Sequence, residues 1–142
     1  MVRRLKVYFI HSTKIDYNNL LYRHVLSSAV CLNHELMLPL TKAYQNRYVK
    51  DLMQEADLIV AEVSDPNLTL KLELKWVLKI KKPIKYISLS NNIPPKLKKI
   101  VPEIEQFTNE LPLIKIIENF ISHYAGMTKE EQNDPTIVLG DL

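Results

Sequence analysis

Residues 57–63, Asp-Leu-Ile-Val-Ala-Glu-Val, constrain this chain more than any other stretch. Five of the six positions after Asp57 are apolar, so both faces of an extended strand here are apolar. A strand like that needs cover on two sides, and the usual cover is a layer of helices on each face of a parallel sheet. Similar runs occur at Lys6–Ile10 and Ile84–Leu89, with a weaker one at Glu35–Pro39. Between them lie segments at helical spacing. Asp16 opens one that continues to about Ala29, and Gln45–Glu55 forms another with Tyr48, Val49 and Leu52 facing inward.

Leu68–Trp76 alternates apolar and polar residues, a half-buried strand pattern, yet its Leu, Lys and Glu residues favour helix. Two parallel strands in one sheet need a crossover, and this stretch is the only segment available between residues 63 and 84. The expectation is a helix capped by Asn67, burying Leu70, Leu74, Val77 and Leu78 with a row of lysines outside. A short helix over 95–100 and a brief edge strand over 102–107 follow. Asn109 then opens an amphipathic helix with Leu113, Ile116, Ile117, Phe120, Ile121 and Tyr124 on one face, ended by Gly126. The predicted fold is therefore a three-layer α-β-α domain of the flavodoxin or Rossmann type. Its sheet is mainly parallel and five-stranded, with strand one central and strand three beside it. The domain occupies residues 1–126, and residues 127–142 form a C-terminal tail.

Composition narrows the function. The chain has only 2 Gly in 142 residues, where average usage would give about ten. No Gly-x-Gly occurs, which excludes glycine-rich nucleotide loops. A single Cys rules out an internal disulfide and favours a reducing, cytoplasmic setting. No stretch is long and apolar enough for a membrane helix. His24, His34 and His123 show no ligand spacing with Cys31, so no metal or cofactor is expected. Charge is uneven: residues 71–99 hold nine Lys and the single acid Glu73, while 101–142 hold eight acids and two Lys. Nucleic-acid binding through the lysines is the less favoured alternative, because aromatic residues do not interleave with them.

In a parallel sheet ligands bind beyond the carboxyl ends of the strands. Those ends here are His11-Ser12-Thr13, Leu40-Thr41, Ser64-Asp65-Pro66-Asn67 and the loop from Ser88. Lys6–Ile10, then Ala56-Asp-Leu-Ile-Val-Ala-Glu-Val-Ser through Leu-Glu73-Leu, then Lys82-Pro-Ile, resemble the nucleoside 2-deoxyribosyltransferase family, which includes deoxynucleoside monophosphate N-glycosidases. The resemblance implies a homodimer that breaks or transfers the N-glycosidic bond of a nucleoside or nucleotide. It places the nucleophile at Glu73. From their places at the strand ends and beside that residue, His11, Ser12, Asp16, Tyr17, Ser64, Asn67 and Lys71 are the expected substrate contacts. Where the family has glycines this chain has Thr69, Lys71 and Lys75, and Asn67 replaces Ser or Asp. Lys71 and Lys75 are expected to keep Glu73 ionised. The alternative is a member that has lost catalysis and serves as a binding or interaction module.

Overall fold

The computed structural model describes residues 3–65, 67–88, 105–106, 110–127 and 129–132. Four strands carry the sheet: β1 (Lys6–Ile10), β2 (Glu35–Met37), β3 (Leu58–Glu62) and β4 (Ile84–Ser88). Their order is β2-β1-β3-β4, all parallel, with Tyr8 opposite Met37 on one side and Ile59 on the other. Among the described residues, a two-residue parallel rung, Glu105–Gln106, pairs beyond β4. The five strands expected thus reduce to four and a rung. The predicted helix over 95–100 and the loop from Ser90 to Pro95 lie outside the described residues.

Period-two alternation sorts the strand side chains into two cores. Val7, Phe9, Leu58 and Val60 face helix α5 (Glu110–Ala125) through Leu113, Ile117 and Ile121, together with Leu21 and Val25. Tyr8, Ile10, Ile59 and Ala61 face the other way, onto Leu52 and Met53 of α3 (Val49–Glu55) and Leu70, Leu74 and Val77 of α4 (Leu68–Ile80). Helices therefore cover both faces, and the domain has three layers.

The crossover is a helix, because Asn67 does cap it: its side-chain oxygen accepts the Leu70 N–H at 2.9 Å. The segment after β1 differs from the single helix expected. It begins as a π-helical turn, Asn18–Tyr22, continues as α1 (Arg23–Leu26), breaks at Ser27 and Ser28, and resumes as α2 (Ala29–Asn33). The hydroxyls of both serines donate back to backbone carbonyls, an alternative to helix continuation. Helix α3 starts only at Val49, so Tyr48, expected inside, stands 81% exposed just before it. Leu78 is also outside the buried stripe, at 47% exposed. Leu74 and Val77 already fill the contact with the sheet.

Two lysines close the far end of α4. Lys81 adopts the left-handed conformation, φ 54°, where glycine is the usual occupant. Lys82 sends its ammonium to the backbone carbonyls of Met53, Gln54 and Ala56 at the end of α3. A cation on the last carbonyls of a helix satisfies orphan acceptors and opposes the helix dipole. A last short helix, α6 (Lys129–Gln132), is tied to the domain by Gln132, which accepts from Arg3 and donates to the Asp57 carbonyl at 3.0 Å. Replacing Lys82 with Met should keep the aliphatic stem and lose the three charged bonds. The urea midpoint is expected to fall by an amount equivalent to about 1–3 kcal/mol; an unchanged midpoint would mean that water replaces the ammonium without loss.

Candidate functional site

At the carboxyl end of the sheet the loops after β1 and β3 are joined by side chains. The Ser12 hydroxyl donates to Asp65 at 2.7 Å and accepts from the Asn67 amide at 2.8 Å and the Lys14 N–H at 3.1 Å. Asn67 therefore caps α4 and ties that helix start to the end of β1 at once. Beside this staple opens a cleft of about 310 Å³. His11, Ser12, Thr13 and Asn67 form one wall, and Thr69, Leu70 and Glu73 of α4 form the next. The opposite side comes from Leu40, Tyr44, Gln45 and Arg47, in the loop between β2 and α3.

Glu73 sits one and a half turns into α4 and is largely withdrawn from water. Burial alone pushes its carboxyl up to about 7. Lys71 and Lys75, expected to hold it ionised, are both exposed on the outer side of α4, and the desolvation they do not offset governs Glu73. Below Glu73, the Tyr8 phenol is fully buried and its oxygen has no hydrogen-bond partner. Burial raises it, and the nearby Glu73 carboxylate raises it further. Tyr8 was hidden in the sequence as one apolar position of a strand.

His11 is fixed rather than free. The Ser12 carbonyl can only accept, so Nδ1, 2.9 Å away, carries the ring proton and donates to it. In the neutral ring Nε2 then accepts from the Tyr22 hydroxyl, 2.5 Å away, whose oxygen also takes the Leu40 N–H at 3.3 Å. Tyr17 stacks on the ring at 4.9 Å between centroids and Tyr22 meets it edge-on at 5.1 Å. Burial lowers the His11 pKa, with the Ser12 contact opposing in part, so the ring is a neutral wall of the cleft.

Of the residues singled out from sequence, His11, Ser12, Asn67 and Glu73 meet in the cleft, and Tyr17 reaches it through His11. Three others do not line it. Asp16 is exposed and accepts from the Asn19 amide. Ser64 donates both its N–H and its hydroxyl to the buried Glu62 carboxylate. Lys71 points away on α4. Thr13, part of the strand end named from sequence, lines the cleft; Tyr44 and Arg47 also line it and carry no signal in the sequence, since the 38–48 loop has no motif. Tyr44 donates to Glu35 at 3.0 Å and is pushed up to about 12, mainly by burial. Arg47 pairs with Glu55 at the surface. Among the described residues no cluster of His, Cys, Asp or Glu is arranged to hold a metal ion, and no helix is long and apolar enough to cross a membrane.

No protein-family model matches the chain, and no curated protein matches it. A solved structure described as the yeast Spc42 trimeric coiled coil, amino acids 181–211, in a fusion superposes with a TM-score of 0.54. It is 14% identical and the match covers 99% of this chain and 90% of that one. A coiled-coil segment so short cannot span this chain, so the likeness lies in the fused partner, and it concerns the fold alone.

Because the folded-state value of Glu73 lies above that of an exposed carboxyl, ionising it costs folding energy. The cost is absent below about pH 4, grows as pH rises toward 7 and is constant above. Glu73→Gln should therefore be more stable than the parent at about pH 8, by on the order of 2–3 kcal/mol, with the difference vanishing at about pH 4. Denaturant melts at both pH values check this; a pH-independent difference would place the carboxyl in water.

Proposed function

We propose that this protein acts on the N-glycosidic bond of a 2-deoxynucleoside or its monophosphate, with Glu73 as nucleophile. The observation that carries the reading is a single half-buried carboxylate on the wall of the cleft at the carboxyl end of a parallel sheet. Its local sequence resembles that of the nucleoside 2-deoxyribosyltransferases, whose sheet is flavodoxin-like, and the strand order β2-β1-β3-β4 is compatible with that arrangement. A carboxylate nucleophile forms a glycosyl ester at the anomeric carbon as the bond to the base breaks, and the base leaves with the bonding pair and gains a proton. Water, or a second base, then attacks the ester, releasing the sugar or a new nucleoside and regenerating the carboxylate. Thr69, in place of one of the family glycines, lines the cleft and fills space that a backbone amide would otherwise offer to substrate, so turnover is expected to be slow.

Only the ionised carboxyl attacks. Base release by the purified protein should therefore rise through about pH 7 and level off above it. Glu73→Gln should lower the rate by at least about a hundredfold. Release that survives the substitution eliminates Glu73, and a flat pH profile eliminates the nucleophilic role of the titrating form.

Ser12, Asp65 and Asn67 satisfy one another's hydrogen bonds along the cleft wall, and this favours a second reading. In it the protein binds a nucleoside or nucleotide without turning it over. Saturable binding of a deoxynucleoside with no base release would select it. The nucleic-acid alternative loses Lys82, which is committed to α3.

The protein is also proposed to form a homodimer in the cytoplasm. Exposed Tyr48 and Leu72 line a groove beside Glu73, and Leu68, 83% exposed, stands at the start of the same helix; this is apolar surface that a second copy would cover. Light scattering at tens of micromolar should give twice the chain mass; a monomer mass removes the claim.

A further inference from the structure

A second cavity, of about 480 Å³, lies at the amino end of the sheet, opposite the Glu73 cleft. It is lined by Arg3 and Arg4 before β1, Asn33 and His34 before β2, and Ser122 with Gly126 at the end of α5. Among the described residues its lining has no carboxylate. Apart from Ala125 and Gly126, its lining side chains each offer a hydrogen-bond donor.

Those donors are partly preset. The Arg3 N–H bonds the Ala125 carbonyl at 3.1 Å, and one guanidinium nitrogen bonds the Tyr124 carbonyl at 3.2 Å and Gln132. The chain thus pins Arg3 in place while its Nε stays buried with no partner. His34 accepts the Leu5 N–H on Nδ1 at 3.1 Å, which leaves the ring proton on Nε2 as its remaining donor. Arg4 is exposed beside it, close enough that its charge, after burial, depresses the His34 pKa. Two guanidiniums and an imidazole N–H at one cavity, uncompensated by any acid in the lining, bring like charges together and want an anion.

We infer that this cavity binds a dianionic phosphoryl group, free or as a monoester, through Arg3, Arg4, His34, Asn33 and Ser122. The inference is independent of the reading of Glu73, since it uses none of the same residues and lies at the other end of β1. The cavity is larger than a phosphate ion needs, so an ester with an organic group also fits. The acidic residues Asp134 and Asp141 follow α6 in sequence and are the rival occupants.

The test follows the His34 ring resonances by NMR at fixed pH while the full chain is titrated with sodium phosphate, and separately with phenyl phosphate. A saturable shift is expected, with a Kd of about 1 mM or tighter, not reproduced by sodium chloride at equal ionic strength. Tighter binding of phenyl phosphate would identify an ester as the natural occupant; equal affinity would identify the free ion. Arg4→Gln, at an exposed position that leaves the fold undisturbed, should weaken binding at least tenfold, and Ser122→Ala more modestly. The proposal is overturned by a shift that chloride reproduces, by no shift, or by full affinity in Arg4→Gln. It is equally overturned if Asp134→Asn with Asp141→Asn tightens binding tenfold or more, because the chain's own acids would then fill the cavity.

Discussion

Leu58 to Ala61 are fully buried and Glu62 is 1% exposed, which leaves β3 no face for water. A strand in that position must pair on both edges, because an unpaired buried amide or carbonyl costs about as much as a lost hydrogen bond. Pairing with β1 and β4 meets that demand, and the two apolar faces then require one helical layer each. Parallel pairing in turn forces long crossovers, so the chain returns to the same end of the sheet each time and leaves its polar loops together at the other. The cleft is a by-product of that geometry. Its walls are loop residues and the first turns of α4, gathered at one end of the sheet by that pairing.

Within the cleft the chemistry is set by what surrounds a single acid rather than by charges near it. Glu73 has lysines two positions away on either side, yet a helix turns 100° per residue and carries both to the outer face. The acid faces inward over Tyr8, and withdrawal from water becomes the controlling influence. A helix row rich in positive charge can therefore present, on its other side, a carboxyl that is reluctant to ionise. Linear charge counts miss this, since they average over faces that the fold separates.

Much of the fold could be read from the residues. β1, β3, β4, α4 and α5 fall within a residue or two of their expected bounds, because their periods are clear and the crossover rule settles the one ambiguous stretch. The Asn67 cap was legible as well. Elsewhere local rules ran out: Ser27 and Ser28 interrupt a helix that apolar spacing alone would continue, and Tyr48 lies outside because α3 begins after it. The candidate site was legible where it sits on strand ends, at His11, Ser12 and Asn67, and at Glu73 through resemblance. Tyr8, Tyr44 and Arg47 were not, since one looks like core and the others lie on an unpatterned loop. Ser64 was misplaced because nothing in Ala-Glu-Val-Ser says that the serine will turn back onto its own strand's glutamate.

Lys81 holds a left-handed turn that a glycine would hold without strain, and it does so in a chain with 2 Gly and 8 Pro among 142 residues. Such a residue stores on the order of 1 kcal/mol in the folded state. The scarcity of glycine acts on the other side of the balance. An unfolded chain with few glycines has fewer conformations to wander through, so it loses less entropy when it folds. This protein accepts local strain at the end of α4 while its unfolded ensemble is already restricted, and part of its stability belongs to the state in which none of its contacts exist.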